Sequence, residues 1–357
     1  MKPRVLFVGR TRYTLPLPAG LARKFAAYDA ELDWHVLASG SGAHERFHLL
    51  PDFPIRALDG LAFYALLPFR VAREVRRLRP QAIVAESPQI AAAALLARPA
   101  AKLIVEVHGN WRLSTRLYGA PARRLLARVD DAASKFALRR ADAVRALSGY
   151  TADLAEEVRG RPPDAVFPTY SDLTVFAERP PEPLPERPTA LFVGVLERYK
   201  NVDGLVAAWR RVSAELPAAR LVVVGKGTLA PLVQGLEHVE ELPPEEVARR
   251  MDESWLLVLP SRFEGLGRVV IESFARGRGV VASSSGWIRD LVRDGVEGLL
   301  VHHDDTAGLA EALIRILSDR ALAERLGAAA AQRYRELHTT PEEFASRVRS
   351  LVERSLH

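Results

Sequence analysis

Two glutamates, Glu264 and Glu272, lie eight positions apart across a glycine-rich turn. Positions 260 to 275 read Pro-Ser-Arg-Phe-Glu-Gly-Leu-Gly-Arg-Val-Val-Ile-Glu-Ser-Phe-Ala. If one helix carried both carboxylates, they would stand about 12 Å apart along its axis, which is about the length of a nucleotide sugar. One carboxylate could then bind the sugar and the other the ribose.

The residues around these glutamates predict a strand, a turn and a helix. Residues 255–259 form an apolar run typical of a buried strand, and the apolar positions after Gly267 fit a packed helix. A helix N-terminus attracts anions, and Gly265 and Gly267 allow an anionic group to approach the main chain closely. The junction therefore suits a diphosphate.

This segment and the residues that follow it resemble the donor half of a GT4-type glycosyltransferase with the GT-B fold. The resemblance rests on the Glu-x7-Glu element, on Arg-Gly-Val-Val-Ala-Ser at 278–283, and on Gly-Trp-Ile-Arg-Asp-Leu-Val-Arg-Asp-Gly-Val-Glu-Gly-Leu-Leu-Val at 286–301. It is dense from about Leu191 to Leu317 and looser before that. It implies an α/β protein with two doubly wound, Rossmann-like domains, a nucleotide-sugar donor and retention of configuration.

The resemblance also implies roles for the residues of the turn. Glu264 contacts the hydroxyls of the transferred sugar, and Glu272 binds the ribose. The other donor-binding residues of this loop are Gly265, Leu266, Gly267, Arg268 and Val269. In the alternative reading, Glu272 is an ordinary acid in the first turns of a helix, which stabilises the helix by a few tenths of a kcal/mol, and Glu264 is a solvated loop charge.

A second donor-binding element begins at Gly194, in Leu-Phe-Val-Gly-Val-Leu-Glu-Arg-Tyr-Lys. Relatives place an arginine directly after this glycine and a lysine five residues later, and both bind the diphosphate. Lys200 is present here, but Val195 occupies the place of the arginine. Arg198 and Arg268 are the two candidates to replace it, and a solvent-facing arginine is the alternative for each.

Two further loops are assigned by resemblance. Gly225 and Gly227 follow a strand and, with residues 239–242, would flank the nucleotide base. Gly9, Arg10 and Gly20 are assigned to an acceptor-side loop after the first strand, although this loop lacks the paired glycines of many relatives.

His108 stands at the carboxyl end of a predicted strand and precedes a glycine. Relatives carry a histidine in this loop beside the sugar and the acceptor, so we assign it a catalytic role with Glu264 and Lys200. The alternative is a structural histidine. His302 and His303 precede two aspartates, but consecutive residues rarely converge on one ion, so this stretch is interpreted as a solvated turn.

Composition limits the possible classes of protein. The chain has 357 residues, 48% of them hydrophobic, which is enough for two globular domains. It contains no cysteine, which excludes disulfides and a thiolate nucleophile or ligand. The start is interpreted as a strand rather than a signal peptide, and no apolar run approaches the length of a membrane span. We therefore expect a cytoplasmic protein.

Positive charge is concentrated in the first half of the chain. Residues 1–172 hold 26 Lys and Arg against 17 Asp and Glu, whereas the remainder carries a net charge of −3. No zinc-finger, homeodomain or RNP signature points to nucleic acid. An anionic membrane surface is a possible partner, because five arginines between 70 and 79 follow the apolar residues of 63–69. An ordinary amphipathic helix is the alternative.

Apolar strands alternate with helices along the chain, which predicts a parallel sheet covered on both faces in each half. Strands are predicted at 4–8, 34–38, 82–85, 103–107, 143–147, 190–195, 221–225, 255–259, 279–283 and 298–301. Helices are predicted at 17–28, 61–78, 88–97, 120–139, 321–334 and 341–356.

A proline-rich stretch at 178–188 separates the halves and predicts a stiff linker. We predict an N-terminal domain at 1–170 and a C-terminal domain at 171–340. By resemblance, the first binds the acceptor, the second binds the donor, and a helix at about 341–357 packs back on the first. Ligands of such sheets bind outside the carboxyl ends of the strands, so the domains are expected to face each other across a cleft.

The predicted reaction is retaining transfer of a sugar to an unknown acceptor hydroxyl. A double displacement lacks a nucleophile, because both glutamates bind the donor, so we expect front-face transfer. No Asp-x-Asp sequence occurs, so neither a metal nor another cofactor is indicated. The alternatives are a nucleotide-sugar epimerase of the same fold and a GT-B protein that binds the donor without turnover.

Overall fold

The computed structural model describes residues 1–50, 56–97, 100–112 and 121–357, and these form two units. The first unit comprises Met1–Tyr170 and Thr339–His357, and the second comprises Ser171–His338. Each unit is built around one parallel sheet. Parallel neighbours need crossover connections, which explains the alternation of strands and helices along the chain.

The first sheet has seven strands among the described residues. They are β1 (Arg4–Thr14), β2 (Asp33–Ser41), β3 (Phe47–Leu50), β4 (Ala82–Ala85), β5 (Lys102–Val107), β6 (Ala143–Ala146) and β7 (Ala165–Val166). Their order in the sheet is β3-β2-β1-β4-β5-β6-β7. Central strands such as β4 are short apolar runs buried on both faces, as expected where helices cover both sides of a parallel sheet.

Five helices connect these strands in the described part of the first unit. They are α1 (Ala19–Glu31), α2 (Arg56–Leu78), α3 (Pro88–Leu96), α4 (Pro121–Arg140) and α5 (Gly149–Arg159). Local signals set their ends: Ser87 accepts a hydrogen bond from the Ile90 amide at the start of α3, and Gly160 ends α5 with φ of +70°. The start predicted for α4, at position 120, lies outside the described residues.

The second unit repeats the same plan. Its strands are β8 (Thr189–Val193), β9 (Arg220–Val224), β10 (Glu237–Val239), β11 (Leu256–Leu259), β12 (Gly279–Ser283) and β13 (Gly298–Val301), in the order β10-β9-β8-β11-β12-β13. Its helices are α6 (Thr174–Ala177), α7 (Val202–Glu215), α8 (Pro244–Asp252), α9 (Arg268–Ala275), α10 (Ile288–Leu291), α11 (Thr306–Leu317) and α12 (Arg320–Leu337). Counted within its own unit, this is the 3-2-1-4-5-6 order of doubly wound sheets.

The last helix, α13 (Pro341–Leu356), belongs to the first unit. Thr340 and Glu343 form a capping box at its start, which satisfies two main-chain amides. The helix packs beside α1, and the ring of Phe344 stacks on Tyr28 with centroids 6.1 Å apart. The chain thus returns to its first unit after completing the second.

The proline-rich stretch lies within the second unit rather than at its boundary. Two buried arginines bind its main-chain carbonyls: Arg276 donates to Arg179 at 2.7 Å and to Pro180 at 3.1 Å, and Arg278 donates to Pro183 at 3.4 Å. Arg276 also pairs with Asp252 at 2.8 Å. These bonds fasten the prolines to the second unit, so they do not form a free linker.

Three strands, β3, β7 and β10, were not predicted from the sequence. Each has two to four residues and lies at an edge of its sheet. An edge strand has a neighbour on one side only, and these three lack the continuous apolar run that marks a central strand. Among the described residues, no helix combines the length and apolar character that crossing a membrane requires.

Candidate active site

The candidate site of the second unit lies where the strand order reverses, between β8 and β11. In doubly wound sheets this switch point opens a crevice at the carboxyl ends of the strands, where ligands bind. The loop after β8 carries residues 194–200, and the loop after β11 carries residues 260–267. The topology therefore brings Lys200 and Glu264 together although they are 64 positions apart.

Lys200 and Glu264 form a buried ion pair. The Lys200 Nζ donates to Glu264 Oε1, and the Ser261 hydroxyl donates to the same oxygen at 2.7 Å. Glu264 is 7% exposed, and the Lys200 side chain is 13% exposed. Charges at this depth require pairing. An ammonium has three donors and a carboxylate accepts several hydrogen bonds, so the pair retains capacity to bind a ligand.

An arginine fixes the two loops against each other. The Arg262 guanidinium binds both carboxylate oxygens of Asp203, at 3.0 and 2.9 Å, while the main-chain amide of Arg262 donates to the carbonyl of Tyr199 at 2.8 Å. On the other side, the Ser285 hydroxyl donates to the carbonyl of Ser261 at 2.8 Å. Sequence reasoning missed these supports, since each joins positions distant in the chain.

Gly267 starts helix α9 and has φ of +54°. The left-handed conformation favours glycine here, and a Cβ at this position would also lie 2.6 Å from the terminal methyl of Ile288. Glu264 lies in the turn before α9, and Glu272 lies within α9. The two glutamates therefore do not share a helix, so the separation estimated for a single helix does not apply to them.

Glu272 pairs with Arg268 one turn earlier in α9, with 2.7 Å between Arg268 Nε and Glu272 Oε1. Burial raises the pKa of Glu272, and the Arg268 charge only partly opposes this effect. Arg268 also donates to the carbonyl of Asp172 at 3.1 Å. Its guanidinium is thus already engaged within the second unit.

Val195 and Arg198 lie in the loop after β8, and both are exposed. Arg198 begins a 3-10 turn that ends at Lys200. Within the described residues, its side chain makes no recorded hydrogen bond or ion pair, in contrast to Arg268. Of the two candidates for the missing arginine, Arg198 has the freer guanidinium.

Close main-chain packing explains why two positions near this loop are glycines. A Cβ on Gly225 would stand 1.8 Å from the carbonyl oxygen of Gly194, and a Cβ on Gly227 would stand 2.5 Å from that of Leu196. The loops after β8 and β9 therefore touch through their main chains. The donor-binding roles of Gly194, Gly225 and Gly227 stay predictions beside this packing role.

In the first unit, His108 follows β5 and belongs to a buried chain of charges. His108 Nε2 lies 2.8 Å from Glu106 Oε2, and Glu106 Oε1 lies 2.8 Å from Arg145 Nη2. Burial opposes ionisation of Glu106, but Arg145 and the hydrogen bond with His108 outweigh it and lower its pKa to about 2. The sequence pattern did not identify Glu106 or Arg145 as site residues.

These groups border a small cavity of about 70 Å³, enough for a few water molecules. Tyr13, Lys24 and Tyr28 also line it. Burial lowers the pKa of Lys24, and burial raises the pKa of both tyrosines. The cavity joins the end of β1 to the ends of β4 and β5, which is the switch point of the first sheet.

The predicted acceptor-side loop is not a loop in the structure. Gly9 and Arg10 lie within β1, in an irregularity of the ladder between Val8 and Arg12. The carboxylate of Glu86 occupies this irregularity: it accepts from the Arg10 amide at 2.9 Å and would stand 2.1 Å from a Cβ on Gly9. Gly20 lies in the first turn of α1. None of the three residues therefore lies in a loop after the first strand: β1 continues along β2 as far as Thr14, and Gly20 belongs to α1. Their acceptor-side role stays a prediction.

His302, His303 and Asp304 place their potential ligand atoms within 4.8 Å of one another. This closeness differs from the expectation that consecutive residues do not converge. His302 and Asp304 are exposed, as expected for a solvated turn before α11. Asn201, which directly follows Lys200, donates a hydrogen bond to the carbonyl of His303 at 2.8 Å.

Two family models match the chain. The model described as "Glycosyl transferases group 1" matches residues 187–319, within the second unit. The model described as "Glycosyl transferase 4-like domain" matches residues 11–169, within the first. The division between these matches coincides with the division of the structure into two units.

Curated relatives resemble part of the chain. Alpha-maltose-1-phosphate synthase of Mycobacterium tuberculosis is 36% identical over 168 residues, which cover 42% of this chain and 43% of that protein. D-inositol 3-phosphate glycosyltransferase of a Nocardioides species is 33% identical over 170 residues, covering 41% of this chain and 37% of that protein. The chain thus spans less than half the length of these relatives in the match.

Solved structures resemble nearly the whole chain. Sucrose-phosphate synthase from Thermosynechococcus elongatus has a TM-score of 0.78 at 22% identity, covering 99% of both chains. HepE from Anabaena, solved in complex with UDP, has a TM-score of 0.69 at 16% identity and covers 100% of this chain and 99% of that one. These likenesses concern the fold, and they confirm the fold class predicted from the sequence.

Proposed function

Because this chain belongs to the GT4-type glycosyltransferases of the GT-B fold, we propose that it transfers a sugar from a nucleotide-sugar donor to an acceptor hydroxyl with retention of configuration. The observation that carries the proposal is the buried Lys200 and Glu264 pair at the switch point of the second sheet. A cation and a carboxylate held together beside a helix N-terminus suit a ligand that carries both a diphosphate and sugar hydroxyls.

In the proposed complex, Lys200 and the amides of residues 267–269 bind the diphosphate, Glu264 accepts hydrogen bonds from the sugar, and Glu272 accepts them from the ribose. The first-turn amides of a helix have no partner within the helix, so those of α9 suit an anion. The complexes solved for the Anabaena protein contain UDP and UDP-glucose, which supports a nucleoside diphosphate as the ligand class.

The reaction proposed is front-face transfer. The bond from the sugar to the diphosphate breaks while the bond to the acceptor oxygen forms on the same face, and a diphosphate oxygen takes the acceptor proton. Lys200 and the α9 N-terminus stabilise the charge that develops on the leaving group. Glu264 does not act as a nucleophile in this proposal, because its carboxylate is bound by Lys200 and Ser261. The proposal includes no metal or other cofactor.

Two further residues complete the proposal. His108 is assigned to the acceptor hydroxyl, and Glu106 fixes its ring: if Nε2–H donates to Glu106, Nδ1 remains as the hydrogen-bond acceptor. Arg198 is assigned to the diphosphate in place of the arginine that Val195 replaces, because Arg268 is held by Glu272 and Asp172.

The test begins with the donor. Thermal unfolding is measured with UDP, GDP, ADP and dTDP in turn, since a ligand at a hundred times its Kd stabilises the protein by about 2.7 kcal/mol. The protein is then incubated with sugar derivatives of the nucleotide that stabilises it, with a panel of hydroxyl acceptors, and the products are resolved by mass. We expect a glycosylated acceptor and free nucleoside diphosphate.

Two other outcomes of the same experiment would contradict transfer. An epimerised nucleotide sugar without an acceptor product indicates an epimerase. Donor that binds but stays intact with every acceptor indicates a binding protein, a second candidate that the valine at position 195 favours, because loss of one cation weakens leaving-group stabilisation.

A further inference from the structure

Three helices of the first unit, α2, α3 and α4, pack side by side and leave a groove on their outer surface. The groove has a volume of about 960 Å³, at the upper end of the range for sites of small ligands. Its floor is the alanine-rich middle of α3, including Ala92 and Ala93, and its walls include Tyr64 of α2 and Phe136 of α4. Small side chains on the middle helix thus create the space.

The same three helices expose large apolar side chains. Phe69 is 75% exposed on α2, Leu96 is 74% exposed on α3, and Val129 is 65% exposed on α4, with Leu66 and Phe136 about half exposed. These five are half of the ten large apolar residues exposed in the described chain. Leu96, Val129 and Phe136 line the groove, and Leu66 and Phe69 lie on α2, whose Tyr64 also lines it. We call this surface of the three helices the α2–α4 face, and such a concentration of exposed apolar residues marks an interaction site.

Exposed arginines stand beside these apolar residues. All three helices follow strands of one parallel sheet, so their C-terminal ends lie at the same edge of the helix layer. At this edge α2 carries Arg76 and Arg77, and α4 carries Arg139 and Arg140. Arginines at helix ends also stabilise the helix dipole, so their charge alone does not identify a partner.

The acidic groups on these helices are already bound. Glu74 is buried and pairs with Arg77 at 2.8 Å, Asp131 pairs with Lys135 at 2.8 Å, and Asp130 accepts from Gln89 at 3.2 Å. The α2–α4 face therefore combines apolar side chains with Arg76 and Arg140, whereas Arg77 is paired with Glu74 and Arg139 donates to the carbonyl of Val158. That combination matches the interface of an anionic lipid bilayer, where apolar groups enter the acyl region and arginines meet the phosphates.

We propose that the α2–α4 face binds the surface of an anionic lipid bilayer, and that the groove along α3 receives one acyl chain. A second copy of this chain is a poorer occupant, because it would place arginines against arginines. The proposal goes beyond sugar transfer and does not depend on it, since binding to lipid is measured without donor or acceptor.

The test is cosedimentation of the full chain with vesicles. Vesicles of phosphatidylcholine alone are compared with vesicles that also contain phosphatidylglycerol, each at low and at high salt. We expect binding to the anionic vesicles at low salt, and a marked loss of bound protein at high salt, because screening weakens the attraction of surface charges.

Two double variants probe the two components of the face. Leu66→Ser with Phe69→Ser removes exposed apolar groups, and Arg76→Glu with Arg140→Glu reverses exposed charges. We expect each to lower the bound fraction at subsaturating lipid more than tenfold, because the first removes apolar groups that enter the bilayer and the second turns attraction to the anionic surface into repulsion. The side chains are exposed, so the unfolding midpoint should not change.

Matched controls lie in other parts of the chain. Leu232→Ser with Val296→Ser removes two exposed apolar groups elsewhere, 43% and 40% exposed, and Arg210→Glu with Arg347→Glu makes the same change in net charge. Both controls should bind as the unaltered chain does. Equal losses in the controls would show that total charge or hydrophobicity, rather than the α2–α4 face, controls binding, and would overturn the proposal.

The groove is probed separately by Ala92→Phe, which fills its floor. We expect this variant to bind anionic vesicles several-fold more weakly than the unaltered chain. Unchanged binding would overturn the acyl-chain part of the proposal. Absence of binding to anionic vesicles at low salt, or equal binding to neutral ones, would overturn the whole. A dimer in sedimentation velocity that Phe69→Ser abolishes, without any vesicle binding, would assign the face to a second copy instead.

Discussion

Glu86 and Glu264 occupy corresponding places in the two units. Glu86 follows β4, which pairs with β1, and Glu264 lies in the loop after β11, which pairs with β8. Their partners differ. Glu86 is bound by the amides of Arg10 and Thr11, at 2.9 and 3.3 Å, and by the Thr11 hydroxyl. Glu264 is bound by the side chains of Lys200 and Ser261. One carboxylate completes a strand, and the other completes a charged site.

The comparison extends to the other charges at the strand ends. In the first unit, Glu106 pairs with Arg145, which is 1% exposed, and the pKa of Glu106 is lowered. In the second unit, Glu272 pairs with an exposed arginine, and its pKa is raised. The same topology thus contains Glu106, whose ionised form stabilises the fold, and Glu272, whose ionised form destabilises it. Costly charges are typical of binding sites.

The largest effect is expected for Glu106→Gln. This change removes the counter-charge of buried Arg145, and breaking a buried ion pair from one side costs about 3 to 5 kcal/mol. Hydrogen exchange followed by mass spectrometry reads each unit separately. We expect faster exchange in β5 and β6, with little change in β11 and β12.

The matched control is Glu157→Gln, which removes the exposed partner of Arg112 by the same chemical change. It should leave exchange in β5 and β6 unaltered, since exposed ion pairs contribute about 0 to 1 kcal/mol. If Glu106→Gln also leaves exchange in β5 and β6 unaltered, the Glu106 carboxylate does not stabilise the first unit, and the contrast with the second unit fails.

Acidification should weaken the first unit before the second. The pKa of Glu106 is about 2 in the folded protein against an ordinary 4.5, so the unfolded chain binds more protons between these values. The stabilisation of about 3 kcal/mol is present above pH 4.5 and is lost as the pH falls toward 2. Glu272 has the opposite sign, because its folded-state pKa is raised, and its cost at neutral pH disappears on acidification.

Hydrogen exchange measured from pH 6 downward, corrected for the intrinsic pH dependence, checks this order. Protection of β5 and β6 should fall before protection of β11 and β12. Simultaneous loss in both units, or earlier loss in the second, would contradict the assignment of Glu106 as the acid-sensitive group.

The same substitution at Glu264 and at Glu86 should affect different properties of the protein. Glu264→Gln should lower transfer at least a hundredfold, as should Lys200→Ala, because a preorganised charge at a transition state contributes about 2.7 to 4 kcal/mol. Glu86→Gln should instead lower the free energy of unfolding, measured by urea titration, by about 1 to 2 kcal/mol, because the neutral amide is a weaker acceptor for the β1 amides. Its nucleotide-induced thermal shift should stay unchanged.

Lys102→Ala serves as the control for Lys200→Ala, since Lys102 pairs with Asp142 at 3.1 Å on the surface of the first unit. It should retain transfer. Near-normal turnover in both Glu264→Gln and Lys200→Ala would remove the proposed site. A lost thermal shift in Glu86→Gln would show that the first-unit carboxylate also serves the ligand.

Residue patterns were sufficient where one segment contains its own signal. The apolar run of β4 and the cap and proline at the start of α13 predict their elements within the segment itself. The end of β1 was not predictable in this way. Its extension to Thr14 depends on Glu86, which is 76 positions from Arg10, and no local pattern reports that contact.

The candidate site shows the same limit. Glu264 and Gly267 were identified from the strand, turn and helix pattern together with a family resemblance, and the structure adds that Lys200 contacts Glu264. Glu106 was missed because it reads as one polar residue within the apolar strand β5. Its importance follows from Arg145 and His108, which only the folded sheet brings to it.

The smallest effect is expected for Glu272→Gln. Burial of the Glu272 carboxylate raises its pKa, so the ionised form destabilises the second unit at neutral pH. The neutral amide should therefore raise the free energy of unfolding, measured by urea titration, by less than about 1 kcal/mol at pH 7. The gain should shrink as the pH falls, because the native carboxyl then becomes protonated.

The same variant should bind the nucleotide about tenfold more weakly, since a ribose hydroxyl bonds a carboxylate more strongly than an amide. Titration of the nucleotide against both proteins, beside urea unfolding at pH 5 and pH 7, measures the two effects. A variant that loses stability without losing affinity would place Glu272 with Glu86 and Glu106, as a carboxylate that serves the fold.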